Sequence, residues 1–194
     1  ETLIYKLNHY GFTNVTNLWF RNYLSNRTQY VTVGKETSDI ESILCGVPQG
    51  SVLGPILFLL YINDLPNATN LYTTLFADDT GFLVSSTDLK ALELQANAEL
   101  SKAYEWFKAN KLTLNITKTK YIVFRTPKMK FDQTLLNIKI NDVPLDRIGH
   151  NCKYTFFKFV GVRLDGYLNW DQHTKYILSK ISSANFVISQ AKKL

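Results

Sequence analysis

The spacing of apolar side chains predicts five helices along the chain. Apolar residues recur every three to four positions in most of them, as on the buried face of an amphipathic helix. The predicted helices cover residues 3–10, 15–24, 54–65, 89–107 and a last segment that follows Asp171. Residues 54–65 are apolar nearly all round, so we expect this helix to be buried against a sheet. The last two helices are predicted to be capped by Thr87-Asp88 and by Asp171.

Between the helices, short apolar runs bounded by turn residues predict strands. Residues 71–77 and 81–85 form a predicted hairpin with Asp78 and Asp79 at its turn. Further strands are predicted at residues 30–33, where Gly34 ends the strand, and at residues 112–114, 121–124, 136–140 and 156–164. Helices mixed with hairpin-linked strands favour an α+β layered fold over a doubly wound parallel sheet.

Charge is divided unevenly between the two halves of the chain. The 194 residues carry a net charge of +6, but residues 1–99 hold 5 Lys/Arg and 10 Asp/Glu, whereas residues 100–194 hold 17 Lys/Arg and 6 Asp/Glu. A basic half beside an acidic one suits a nucleic-acid track next to a metal-binding centre. A solvated, lysine-rich surface is an equally good interpretation of the same charges.

The cysteine count and the hydropathy of the chain predict an intracellular protein that has no membrane partner. Cys45 and Cys152 are too few for a disulfide framework or a four-cysteine zinc site. We therefore expect both to be reduced, in an intracellular protein of the cytoplasm, the nucleus or both. The longest apolar run, residues 52–62, is shorter than a membrane-spanning helix and contains Pro55, so we expect no membrane partner.

Asp78 and Asp79 are the leading candidates for catalytic chemistry. Adjacent carboxylates at the tip of an apolar hairpin repel each other unless a cation lies beside them. Mg²⁺ is a natural partner because it takes one or two carboxylates together with substrate phosphates. For an isolated pair, the better interpretation is simply that Asp suits turns, so the choice depends on the surrounding sequence.

Several short motifs accompany the acidic pair in a defined order. The longest are GVPQGSVLGP at residues 46–55 and FLLYINDL at residues 58–65, followed by FADDT at residues 76–80. Shorter ones are WFRNYL at residues 19–24, LTLN at residues 112–115 with Lys118 and Thr119, and FVGV at residues 159–162. In this order, and with the initial segment 3–11, they closely resemble the reverse transcriptases of non-LTR (LINE-type) retrotransposons. The resemblance covers nearly the whole chain and favours catalysis over a simple turn.

The resemblance implies a fold and an activity. The fold would be a right-hand polymerase palm, an antiparallel sheet packed on helices, over residues 1–166. Residues 167–194 would begin a helical thumb. The activity would be RNA-directed DNA polymerisation by two-metal nucleotidyl transfer, with Mg²⁺ as cofactor. The partners would be an RNA template, a DNA primer or cDNA, and deoxynucleoside triphosphates.

The resemblance also implies roles for particular side chains. Asp78 would be a principal metal ligand, Asp79 a secondary one, and Lys118 would assist pyrophosphate departure. Phe76 would pack near the primer terminus. The residues along the incoming nucleotide and template base would be Pro48, Gln49 and Gly50. The alternative for residues 48–50 is an ordinary loop that caps a buried helix. The alternative for Lys118 is a solvated lysine at the end of a strand.

Two further expectations concern whether the chain contains a complete catalytic site and where it binds nucleic acid. In the family, another metal-binding aspartate and the finger elements precede the segment that starts at Glu1, so we expect a fragment that is inactive alone. A face that binds RNA or an RNA–DNA hybrid is predicted from Lys108, Lys111, Lys118, Lys120, Lys128 and Lys130. Two other functions stay open: a non-catalytic retroelement relic that binds nucleic acid, and the palm of a group II intron-type maturase.

Overall fold

Five α-helices form in the described residues, at the segments that the apolar spacing predicts. The computed structural model describes residues 1–43, 46–48, 50–129, 136–149 and 155–192. The helices are α1 (Thr2–His9), α2 (Asn14–Leu24), α3 (Leu53–Ile62), α4 (Leu89–Ala109) and α5 (Asp171–Ala191), and a short 3-10 helix (Leu65–Ala68) follows α3. The chain divides into two compact units, Glu1–Leu83 and Val84–Leu194.

The strands are short and pair two by two. The first unit contains β1 (Thr28–Gln29), β2 (Thr32–Val33), β3 (Glu36–Thr37), β4 (Glu41–Ser42), β5 (Tyr72–Phe76) and β6 (Asp79–Leu83). The second unit contains β7 (Lys120–Tyr121), β8 (Lys139–Ile140), β9 (Val143–Pro144), β10 (Asp146–Arg147), β11 (Phe157–Phe159) and β12 (Val162–Leu164). The pairs β1–β4, β2–β3, β5–β6, β8–β9 and β11–β12 are antiparallel, whereas β7 and β10 pair in parallel.

The mixed helix and strand content confirms the α+β class. The single antiparallel sheet expected for a palm is not formed by the described residues, which contain two-stranded ribbons instead. Most of these strands are two or three residues long, so each presents few backbone groups with which a third strand could pair. The palm and thumb arrangement stays a prediction, as does the domain boundary after residue 166.

The core of the first unit is helical. Leu7 of α1 and Leu57 of α3 are fully buried and pack together with Ile4. α3 therefore packs on α1 rather than against a sheet, which corrects the prediction for this helix. Ile56 and Leu59 of α3 are about half exposed. The prediction was wrong because a helix that is apolar all round does not indicate which of its faces is covered, or by what.

An ion pair fastens α1 to the C-terminal end of α3. The Lys6 ammonium donates to the Tyr61 carbonyl oxygen at 2.7 Å and to the Asp64 carboxylate at 2.6 Å, and the lysine side chain is only 11% exposed. A cation beside the last carbonyl groups of a helix offsets the negative end of the helix dipole. Burial raises the pKa of the Tyr61 hydroxyl, and the Asp64 carboxylate adds to that rise.

The core of the second unit lies between α4 and the segment that leads into β8. Ala96 of α4 packs with Leu136 and Ile138 in a buried cluster. Asn97, the next residue of α4, accepts a hydrogen bond from the Lys139 N–H at 2.9 Å through its carboxamide oxygen. A buried apolar contact and a side-chain bond to the strand backbone therefore hold β8 against α4.

The two predicted helix caps differ in outcome. At the start of α4, the Ala91 N–H donates to the Asp88 carboxylate at 2.7 Å, which confirms that cap. At α5 the prediction was wrong by one residue, because Trp170 occupies the N-cap position with a φ of 64° and Asp171 is the first helical residue. The Asp171 carboxylate still lies in the first turn, where the helix dipole favours negative charge.

Several predicted strands are corrected by the structure. Residues 156–164 form the β11–β12 hairpin rather than one strand, because Val160 and Gly161 turn the chain with φ values of 46° and 84°. Positive φ at both loop residues is typical of the tightest hairpin turns. Residues 112–114 form no strand in the described structure, and β2, β7 and β8 are shorter than predicted.

The helices of the described residues include none that is long and apolar enough to cross a bilayer. Cys45 and Cys152 lie outside the described residues. The reduced state of these cysteines and the cellular location of the protein therefore stay predictions.

Candidate catalytic hairpin and its surroundings

Asp78 and Asp79 lie at the end of an antiparallel hairpin, which confirms the predicted hairpin and the position of Asp78 in its turn. β5 and β6 pair along their whole length, and the last pair is Phe76 opposite Asp79. The loop therefore consists of Ala77 and Asp78, and Asp79 is the first residue of β6 rather than part of the turn. Ala77 has a φ of 51°, the left-handed conformation that tight two-residue hairpin loops need at their first position.

One face of this hairpin carries three large apolar side chains that are open to solvent. Alternate residues of a strand share a face, and so do residues opposite each other in an antiparallel pair. Tyr72, Phe76 and Leu83 therefore lie on the face that Asp79 also occupies, and they are 69%, 58% and 54% exposed. Both carboxylates at the tip are exposed as well. An exposed apolar surface of this kind is typical of a binding site.

Asp78 and Asp79 fit one part of a divalent-cation site. Both carboxylates are accessible, and Mg²⁺ accepts one or two carboxylates together with water and phosphate oxygens. In the part of the chain that the structure describes, no group of three or more His, Cys, Asp or Glu side chains could hold an ion. A site for two ions would therefore need ligands in addition to this pair.

The predicted nucleotide-binding loop is held against the first turn of α3. The Ser51 hydroxyl donates to the Pro48 carbonyl oxygen at 2.7 Å and accepts from the Gly54 N–H at 3.0 Å. A Cβ at Gly54 would lie only 3.0 Å from the Ser51 hydroxyl oxygen and 3.1 Å from the Pro48 carbonyl oxygen. Glycine at position 54 therefore allows the loop to approach the helix closely. The loop does cap a helix, and its contact with a nucleotide stays a prediction.

Gly50 lies in the same loop with its backbone open. Its φ is 78°, and nothing lies within 4 Å of the position that a Cβ would take. A residue with a side chain would be strained in this conformation. The Gly50 backbone is thus accessible to a flat ligand, whereas Pro48 is half-buried and Gln49 lies outside the described residues.

Lys118 lies in a turn of the second unit. The Asn115 carboxamide oxygen accepts from the Lys118 N–H at 3.1 Å and from the Thr117 hydroxyl at 2.8 Å. The Thr119 N–H donates to the Asn115 carbonyl oxygen at 3.0 Å. Asn residues stabilise turns through such bonds to the backbone that follows them. The Lys118 side chain is exposed in this turn, and β7 begins only at Lys120.

The lysines of the predicted RNA-binding face differ in their partners. The Lys120 ammonium lies 2.8 Å from the Asp146 carboxylate and its side chain is 15% exposed, so it is poorly placed to reach a phosphate. Lys108 is exposed and lies 3.9 Å from Glu105. The other exposed lysines of the set are Lys111, Lys118 and Lys128, and Lys130 lies outside the described residues.

The ion pair between Lys6 and Asp64 is a feature that the sequence patterns did not reveal. Asp64 belongs to the FLLYINDL motif, and its carboxylate holds α1 to α3. The available signal was the position of Lys6, beside Leu7 and at helical spacing from Leu3 on the apolar side of α1. A lysine in such a position needs a partner, because burial of an unpaired charge is costly.

Comparison with known sequences assigns this chain to a family. The family profile described as "Reverse transcriptase (RNA-dependent DNA polymerase)" matches residues 1–164. The chain therefore belongs to the reverse transcriptase family. The match includes the acidic hairpin, the glycine-containing loop before α3 and the turn that holds Lys118.

Three relatives come from mobile elements. The chain is 27% identical over 186 residues to the RNA-directed DNA polymerase from mobile element jockey of Drosophila melanogaster, covering 90% of this chain and 19% of that protein. It is 28% identical over 186 residues, with the same coverage, to the probable RNA-directed DNA polymerase from transposon X-element of that species. It is 26% identical over 174 residues to the retrovirus-related Pol polyprotein from type-1 retrotransposable element R1 of Bradysia coprophila, covering 87% and 16%. The resemblance to non-LTR retrotransposon reverse transcriptases is confirmed.

The similarity covers a small share of each relative. The chain spans about one fifth of the length of the curated relatives it matches, 19% for both Drosophila melanogaster proteins above. No solved structure matches the chain. The family of the chain is thus established from sequence.

Proposed function

We propose that this chain is part of an RNA-directed DNA polymerase that copies an RNA template by extending a DNA primer with deoxynucleoside triphosphates. The observation that carries this proposal is the exposed Asp78–Asp79 pair at the tip of the β5–β6 hairpin, in a chain of the reverse transcriptase family. Two relatives are named RNA-directed DNA polymerases. Their names support the same activity for the longer protein to which this chain would belong.

Asp78 and Asp79 would hold Mg²⁺, with Asp78 as the principal ligand. When bound, Mg²⁺ supplies the positive charge that stabilises the attacking and leaving oxygens of an in-line phosphoryl displacement. The hairpin would hold the two carboxylates in place, because a two-residue loop between paired strands restricts where they can lie. Their exposure would leave room for the phosphate oxygens of the substrate.

Other residues of the chain would hold the substrates. The Phe76 ring, on the exposed face of the hairpin, would pack against the sugar or base at the primer terminus. The loop along the incoming nucleotide and the template base would consist of Pro48, Gln49 and Gly50, and the open backbone of Gly50 would allow a base pair to approach. Lys118 would assist the departure of pyrophosphate by donating a proton or by balancing its charge.

The site would be completed outside the acidic hairpin. Two ions about 3.5–4 Å apart need ligands from more than one segment of the protein, and the hairpin is a single segment. Residues 1–166 would form the palm, and residues 167–194, which include α5, would begin the thumb. We therefore expect the 194-residue chain to be inactive alone and a longer protein to be active.

A primer-extension assay tests this function. The longer protein should extend a DNA primer annealed to an RNA template in the presence of Mg²⁺ and deoxynucleoside triphosphates, and the 194-residue chain should not. Extension by the 194-residue chain would show that these residues contain the missing ligands. If the longer protein bound RNA but did not extend the primer, the non-catalytic relic would be the better interpretation.

The exposed lysines give a second test, which concerns binding. Replacing Lys111, Lys118 and Lys128 together by Gln should weaken RNA binding and flatten its salt dependence, because each phosphate contact to a single strand adds roughly 0.7 to the logarithmic salt slope. Lys120→Gln is the matched control, since its ammonium is paired with Asp146. Filter-binding titrations at several salt concentrations measure both slopes. Affinity that does not change with salt would contradict an electrostatic RNA-binding face.

A further inference from the structure

Three side chains form a ladder that runs along α2 and past its end. The Trp19 and Tyr23 rings stack with their centroids 5.3 Å apart and their planes inclined by 6°. The Arg27 guanidinium lies 5.7 Å from the centroid of the Tyr23 ring. The four-residue spacing places both rings on one side of the helix. We call Trp19, Tyr23 and Arg27 the aromatic ladder.

The ladder is anchored at its middle and open at the Trp19 end. Tyr23 is partly buried against the cluster around Leu57, whereas Trp19 is 51% exposed. Phe20 meets the Trp19 ring in an edge-to-face contact, with centroids 5.1 Å apart. The indole is therefore held on two sides while half of its surface faces solvent. An aromatic ring that is already ordered loses little conformational entropy when a ligand stacks on it.

The sequence around the ladder contains no acidic residue. Residues 2–35 lack Asp and Glu, although residues 1–99 as a whole are acidic. The Lys and Arg residues of this stretch are Lys6, Arg21, Arg27 and Lys35. Lys6 is engaged by Asp64, and Arg27 is the cation that the structure places against the ladder, 5.7 Å from the centroid of the Tyr23 ring. Exposed rings interleaved with basic residues suit a polyanion whose bases can stack.

We propose that the aromatic ladder binds single-stranded RNA by stacking an unpaired base on Trp19. The base would extend the Trp19–Tyr23 stack, and Arg27 would neutralise a phosphate of the same strand. This site rests on the proposed function only in that the strand is the RNA template. It lies on α2 rather than on the acidic hairpin, and it needs neither metal nor nucleotide.

Binding of short labelled RNAs, followed by fluorescence anisotropy without Mg²⁺, tests the ladder. Trp19→Ala should weaken binding of single-stranded RNA by about tenfold or more, with no change in the salt slope, because stacking carries no charge. Arg27→Gln should weaken binding and lower the slope by roughly 0.7. Affinity for blunt duplex RNA should be the same in Trp19→Ala as in the unmodified chain, because paired bases are already stacked.

Two variants separate stacking from general damage to α2. Leu18→Ala removes a neighbouring apolar side chain that is 57% exposed and lies outside the ladder, and it should bind RNA normally. Trp19→Phe keeps an aromatic ring and should retain most of the affinity even if Trp19→Ala is less stable by circular dichroism. Equal losses in Leu18→Ala and Trp19→Ala would overturn the proposal.

Two further outcomes would also count against the ladder. Unchanged RNA affinity in Trp19→Ala, or an unchanged salt slope in Arg27→Gln, would show that RNA does not bind there. If Trp19→Ala altered the oligomeric state in size-exclusion chromatography while RNA affinity stayed constant, the surface would be a protein interface. Because the assay requires no polymerisation, its failure and the failure of primer extension are separate results.

Discussion

Replacing Asp78 by Asn in the longer protein should abolish primer extension, with a loss of rate on the order of a thousandfold or more. The carboxamide has nearly the same size as the carboxylate but lacks the negative charge that a divalent cation requires. Asp78 is exposed in a two-residue loop, so the fold and RNA binding should be nearly unchanged. Extension rates, thermal melts and RNA titrations on the same preparation measure these three quantities.

Two other variants serve as comparisons for Asp78→Asn. Asp79→Asn should lose less activity, since Asp79 is proposed as the secondary ligand. Asp39→Asn removes an exposed acidic group elsewhere in the first unit and should extend primers normally. Full activity in Asp78→Asn would show that the hairpin is not the metal site. A similar loss in Asp39→Asn would indicate a general effect of charge.

Leu57→Ala should lower the free energy of unfolding of the chain by about 2–5 kcal/mol. The Leu57 side chain is 1% exposed and packs with Leu7 and Ile4 where α3 meets α1. Truncation would remove its buried methyl and methylene groups and leave a cavity, because the surrounding helices can close the space only in part. Urea unfolding followed by circular dichroism measures the change.

Leu59→Ala is the matched control for this core. Leu59 lies two residues further along α3 and is 48% exposed. Its truncation should change the free energy of unfolding by about 0.5 kcal/mol or less. Equal destabilisation by both variants would contradict the packing of α3 on α1, because it would mean that the two faces of the helix are buried to the same extent.

Features that depend on neighbours in sequence were predictable from the sequence. Apolar spacing located all five helices, and the Asp88 cap needed only the residues that follow it. Alternating apolar residues predicted the hairpin that carries Asp78, although Asp79 proved to belong to β6. The motifs resembled those of non-LTR reverse transcriptases, and the match over residues 1–164 confirmed the family. A motif can identify a family because it depends only on the types and order of residues in the sequence. The packing of those residues is not needed for the comparison.

Features that depend on distant contacts were decided only by the tertiary structure. The apolar sequence of α3 requires burial but does not specify a partner, and the contact with Leu7 identified α1. The pairing of Lys6 with Asp64 joins residues 58 positions apart, beyond the reach of any periodic pattern. Likewise, an aromatic residue in a sequence can fill a core or face solvent. In the structure Tyr23 packs against the buried cluster, and the Trp19 ring stacks on the Tyr23 ring. The Trp19 indole therefore lies at the margin of the packed side of α2, where half of its surface stays exposed.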